Sequence, residues 1–141
     1  MPNGKKFITG IIASAVALFF AVAALAEEYI KKNPYLDRYD YLDSVGKPKG
    51  YIKKNKYLDR YEIYDILGKG EGYVKENPYL RRYEYYDQIG KLKGYGKENT
   101  ALKQYDLYDA LGKKSGFLKK NPYLDRIEIY KKESSPDTPE R

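Results

Sequence analysis

The chain predicts an all-β protein, an elongated antiparallel meander of hairpin repeats, and three observations carry that expectation. A 22-residue unit recurs from Tyr29, Tyr51, Tyr73, Tyr95 and Phe117, four and a half copies in all, and a fixed period of this size marks a repeat architecture. Within each unit Tyr and Ile alternate with charged residues, as in Arg60-Tyr61-Glu62-Ile63-Tyr64-Asp65, the pattern of a strand with one face covered. Two turn signals separate the strands. One is Asn-Pro at 33–34, 77–78 and 121–122, suited to the first two positions of a type I turn; the other is a Gly-Lys-x-x-Gly segment such as 68–72.

Ahead of the repeats, Lys5 and Lys6 precede an apolar stretch at 7–26 that ends in Ala24-Leu25-Ala26. This is the layout of a secretory signal peptide with an Ala-x-Ala site, cut after Ala26. The rival is an uncleaved anchor, because the stretch is just long enough to cross about 30 Å of hydrocarbon as a helix. Export follows, to the periplasm, the cell surface or the medium. With no cysteine in the chain, stability there rests on packing between repeats.

Inside the array (27–130), each unit contributes two short strands, for example 61–65 and 72–76. A helical solenoid is the alternative: Asn77 and Pro78 suit a helix N-terminus, Gly90 its end, and Tyr79, Tyr83, Tyr86 and Ile89 a stripe. The Tyr and Ile content favours strands. With Gly-Lys-x-x-Gly as the hairpin loop, symmetric folding sets Glu62 opposite Lys75, Ile63 opposite Val74 and Tyr64 opposite Tyr73. The same register pairs Asp40 with Lys53, Glu84 with Lys97, Asp106 with Lys119, Leu42 with Tyr51, Tyr86 with Tyr95 and Tyr108 with Phe117. Each such cross-strand pair is worth roughly 0.2–1 kcal/mol. Arg60, Glu62, Tyr64, Tyr73 and Lys75 then share one face, and Tyr61, Ile63 and Val74 the other.

Tighter architectures conflict with charge and spacing. One coil per unit in a cross-β stack brings Arg38, Arg60 and Arg82, and likewise Asp43, Asp65, Asp87 and Asp109, into ladders at about 4.8 Å. A leucine-rich repeat needs an Asn ladder where Ser44, Ile66, Gln88 and Ala110 stand. The last copy stops after Tyr130 without its glycine hairpin, leaving an edge strand guarded by Lys131 and Lys132. Residues 131–141, rich in Ser, Pro and charge, read as a disordered tail.

The motif Tyr-x-x-Tyr-Asp-x-x-Gly-Lys-x-x-Gly-Tyr, at 61–73 and 83–95, resembles MORN repeats, whose units carry aromatic-Gly-Lys-x-x-Gly hairpins in an elongated meander. It is similar, more distantly, to the aromatic Gly-hairpin repeats of bacterial cell-wall and choline-binding modules, whose caging tryptophans have no counterpart here. The resemblance spans 29–130 and implies a scaffold or binding module.

Enzyme chemistry finds no support. There is no His and no Cys, the serines lack a base, and the recurring acids sit among Arg and Lys, which keep them ionised and poor as general acids. A calcium site at Asp43, Asp65, Asp87 or Asp109 has one carboxylate where several oxygens are needed. No cofactor or metal is expected. The charge of +7 is mixed, and acids interrupt every basic stretch, which argues against nucleic acid. Membrane contact is expected only through an uncleaved N-terminal segment. The expected function is that of an exported, non-enzymatic scaffold or binding module of the cell envelope. It engages a glycan, peptidoglycan or an envelope protein multivalently through Arg60, Tyr64, Tyr73, Arg82, Tyr86, Tyr95 and Tyr108. The alternatives are a self-assembling structural protein that pairs through its own sheet edge, or a tyrosine ladder that only stabilises the sheet.

Overall fold

The computed structural model describes residues 28–131, and the expected signal peptide at 1–26 and the tail from 132 onward lie outside the described residues. Ten strands follow one another: β1 (Glu28–Lys32), β2 (Tyr39–Leu42), β3 (Pro48–Asn55), β4 (Arg60–Asp65), β5 (Gly70–Asn77), β6 (Arg82–Asp87), β7 (Leu92–Asn99), β8 (Gln104–Asp109), β9 (Lys114–Asn121) and β10 (Arg126–Lys131). Each pairs antiparallel with the next, so the all-β hairpin meander is present. The described residues contain no helix.

The meander is not elongated. β10 pairs antiparallel with β1, and the sheet closes into a barrel. The reason lies in the half-units at the two ends. By repeat position β1 corresponds to β3, the second strand of a hairpin, and β10 corresponds to β2, a first strand, so their edges are complementary. Joining them satisfies both rows of backbone N–H and C=O that an open sheet would expose. Lys131 therefore guards no edge: it is the last residue of β10, and its Nζ lies 3.1 Å from Glu28 Oε2 across the seam.

The register also differs from the expected one, by two residues. Glu62 faces Tyr73 in place of Lys75, and Ile63 faces Gly72 in place of Val74. The expected pairings of Asp40, Glu84 and Asp106 with the lysines of the following strand are replaced in the same way by Tyr51, Tyr95 and Phe117. The loop is Asp-x-x-Gly-Lys, not Gly-Lys-x-x-Gly. Asp65 Oδ1 accepts hydrogen bonds from the amides of Leu67 and Lys69, both at 2.9 Å, and Gly68 takes a φ of +86° that favours glycine. A β-bulge between Ile63 and Tyr64 follows.

The expected kinds of pair form across the other turn. Lys53 faces Glu62 and Tyr51 faces Tyr64; Lys75 faces Glu84 and Tyr73 faces Tyr86. Because a slip of two preserves the pleat, the faces are as expected. Ile52, Ile63, Val74, Tyr85, Leu107, Leu118 and Ile129 fill the interior, so the barrel encloses a packed core. Within that interior the Tyr41 hydroxyl hydrogen-bonds Glu28.

Candidate functional site

Every residue singled out in the sequence lies on the outer wall, half-buried, and they are joined to one another. The Arg60 guanidinium carbon sits 4.0 Å from the centre of the Tyr73 ring, and Tyr73 stacks on Tyr86 with centroids 5.2 Å apart. One unit on, Arg82 covers Tyr95 at 4.1 Å and Tyr95 stacks on Tyr108 at 5.0 Å. One unit back, Arg38 covers Tyr51 and Tyr51 stacks on Tyr64. Glutamates couple the stacks. Glu62 accepts from the Tyr64 hydroxyl, which ends one stack, and from Arg60, which begins the next. Glu84 does the same for Tyr86 and Arg82. The result is a belt of cation–π, ring–ring and charge-assisted contacts running along the wall from Arg38 to Tyr108. A second arc runs from Phe117 through Tyr130, Glu128 and Arg126 to Tyr29 across the seam.

An asparagine ties each turn to this belt. Asn77 Oδ1 accepts from the amides of Tyr79 and Leu80, both at 3.1 Å, while its Nδ2 donates to Glu84 at 2.9 Å. Asn33, Asn55, Asn99 and Asn121 donate in the same way to Asp40, Glu62, Asp106 and Glu128. All five copies need this double role, which explains why Asn is present in each although Pro follows it in only three.

The consequence is a crown at that end of the barrel. Tyr35, Tyr57, Tyr79 and Tyr123 are 93–101% exposed, and Leu36, Leu58, Leu80, Leu102 and Leu124 stand half-exposed beside them. In the fourth copy Ala101 takes the tyrosine's place. Sequence reasoning does not single out these four tyrosines as site residues. The signal was available: they directly follow the turn positions and fall outside the strand alternation, so nothing in the pattern asks for an aromatic there. Arg60, Tyr64 and Tyr73, by contrast, line an open groove on the wall together with Gln88.

The opposite end carries the Asp-x-x-Gly-Lys loops. Their tips are Val45, Leu67, Ile89 and Leu111, 85–96% exposed. Asp43, Asp65, Asp87 and Asp109, considered above as calcium ligands, each spend Oδ1 on two loop amides. Among the described residues no cluster of acids is placed to hold a metal ion.

The carboxyls of the belt are held ionised by their partners. Burial acts to raise the carboxyls of Glu62 and Glu84, but the hydrogen bonds from Tyr, Asn and Arg outweigh it and both titrate below the usual carboxylate range. Asp106, held by Asn99, Gln104 and Lys114, is lowered likewise. Inside the barrel, burial and neighbouring acids push the phenols up, Tyr61 and Tyr83 to about 12. Near neutrality the belt carboxyls therefore stay ionised and these phenols stay protonated.

No family model matches the chain, and no curated protein matches it. An X-ray structure of a protein from Arabidopsis thaliana is similar in chain path at 10% identity, with 86% of this chain and 88% of that one covered and a TM-score of 0.49.

Proposed function

We propose that this is an exported, non-enzymatic binding module of the cell envelope that presents aromatic side chains to a repetitive partner such as a glycan, peptidoglycan or an envelope protein. The observation that carries this reading is the crown: four tyrosines almost wholly in solvent, on turns braced by asparagine, at one end of a closed barrel. Exposed tyrosine supplies a large amphipathic contact at low entropic cost, and four copies add their weak contacts multivalently. The wall residues Arg60, Tyr64, Tyr73, Arg82, Tyr86, Tyr95 and Tyr108 form a second candidate surface, with their ring faces and charges already engaged in the belt. Self-assembly through a sheet edge loses its support, since every described strand has two neighbours.

The test is retention of the intact chain on isolated cell-wall material. Changing Tyr35, Tyr57, Tyr79 and Tyr123 to Ser is expected to lower retention at least several-fold, roughly in line with loss of multivalent contacts. Changing Tyr64, Tyr86 and Tyr108 to Ala probes the wall. Retention unaffected by the crown substitutions overturns the crown as the contact surface. Concentration-dependent sedimentation without wall binding favours self-association.

A further inference from the structure

The structure points to a second docking face, for an anionic lipid surface, at the barrel end opposite the crown. It stands on different residues and does not depend on the wall-binding reading.

Three observations converge. First, Val45, Leu67, Ile89 and Leu111 are aliphatic, almost fully exposed, and repeated at the tips of four loops on one end. None of the four packs into the core, and their repetition on one end sets them apart from singly scattered apolar residues. Each loop that carries them is closed by an Asp carboxylate on two backbone amides and by a glycine at φ near +85°.

Second, the charge around the tips is sorted. Lys47, Lys69, Lys91 and Lys113 follow each tip by two residues and are exposed. The acids of the same loops, Asp43, Asp65, Asp87 and Asp109, are turned back onto backbone amides. An apolar tip with cations directly behind it matches acyl chains under a layer of phosphate. A protein partner would need no such order.

Third, the chain enters the barrel at this end. β1 begins at Glu28 and runs toward the Asn33 turn, so Glu28 and Lys131 together occupy the fifth corner, where the ring has no loop. In sequence, the apolar stretch 7–26 precedes this end, with only Glu27 between it and Glu28. Lipid contact at the loop end leaves the tyrosines directed away from the membrane.

The chain contains no tryptophan, so a single Leu67→Trp substitution reports on the tip without background. The full-length protein carrying Leu67→Trp is mixed with vesicles of phosphatidylglycerol and phosphatidylcholine with brominated acyl chains. The expected result is a blue-shifted emission and quenching of roughly twofold or more by the brominated lipid, as for a side chain inserted at the headgroup boundary. Adding Val45→Ser, Ile89→Ser and Leu111→Ser, or changing Lys47, Lys69, Lys91 and Lys113 to Glu, is expected to return the emission to that of water. Tyr57→Trp, at the crown, serves as the control and stays unquenched. All these positions are solvent-exposed, and circular dichroism checks that each variant keeps its strands. The proposal is overturned if the Leu67→Trp emission is aqueous while the protein floats with the vesicles, because then any attachment runs through 7–26 alone. It is equally overturned if the protein does not bind the vesicles, or if Tyr57→Trp is quenched as strongly.

Discussion

Tyr86 donates its phenolic hydrogen to Glu84 Oε1 at 3.0 Å, two residues back on the same strand and on the same outer face. Arg82 holds the other carboxylate oxygen at 2.6 Å. Through this pair the end of one aromatic stack is tied to the start of the next. The equivalent acid beside Tyr108 is Asp106, one methylene shorter, and it is held by Asn99, Gln104 and Lys114 instead. Removing the hydroxyl should therefore matter more at one site than at the other. Tyr86→Phe is expected to cost about 1.5 kcal/mol, the low end for a hydrogen bond to a charged group, and Tyr108→Phe about half that or less. Urea denaturation of the two variants measures the difference.

The pH profile of stability has two limbs set by different residues. Glu62, Glu84, Asp106 and Glu128 are lowered on folding, so the stability they contribute is complete above the ordinary carboxylate range. It is lost as the pH falls through their depressed values. Tyr61 and Tyr83 are raised, chiefly by burial, from 10.0 to about 12. Their contribution is complete below 10.0 and is lost as the pH rises toward about 12. Thermal melting as a function of pH should show a plateau between these limits. Glu62→Gln and Glu84→Gln together should lower the plateau and flatten the acid limb while leaving the alkaline limb in place.

Two neighbouring glycines should differ sharply in their tolerance of the same substitution. A Cβ on Gly72 would lie 2.3 Å from the Tyr86 carbonyl oxygen, at a φ of +154°. At Gly70 the nearest atom is the Gln88 side-chain nitrogen at 3.5 Å. Gly72→Ala is expected to destabilise by about 2 kcal/mol or more through overpacking and strain; Gly70→Ala should stay within about 0.5–1 kcal/mol of the parent. Denaturant midpoints of the pair decide it.

Ring closure can be read covalently. Tyr29 and Glu128 face each other across β1 and β10, and antiparallel partners stand about 4.5–5.5 Å apart at Cα, within disulfide reach. In this cysteine-free chain, Tyr29→Cys with Glu128→Cys should oxidise to an intramolecular bond, with no free thiol and no covalent dimer. In the chain-entropy model a loop of this size adds about 4 to 5 kcal/mol, partly offset by the lost Arg126 and Tyr130 contacts. An open, elongated sheet would leave the two thiols far apart and unreacted within one molecule.

The strands and their faces were legible because alternation is local: Arg60, Glu62 and Tyr64 point one way and Tyr61 and Ile63 the other whatever the partners are. The partners were not, because a 22-residue period offers Glu62 two lysines, Lys75 ahead and Lys53 behind, with the same chemistry. Only the loop settles the choice, and there the decisive residue is Asp65, whose carboxylate closes the turn. Closure itself left one trace, since Glu28 stands 22 residues ahead of Gly50 in the column that continues at Gly72, Gly94 and Gly116. That places a second-strand sequence at the start of the array to match the first-strand sequence at its end. The exposed tyrosines were overlooked for a different reason: among 18 tyrosines, composition cannot tell those that build the wall from those that leave it.

Closure changes what the number of repeats means. In an open array each added unit lengthens the molecule, and its copy number can drift by duplication or loss with every interior unit undisturbed. In this barrel each unit is an arc, and the count sets the girth. Removing one arc would draw the wall inward onto Tyr85, Ile63 and Leu107, and adding one would open a void around them. The core side chains thus act as a gauge that holds the number of arcs at five, so copy number, free to vary in a filament, becomes a quantity under selection.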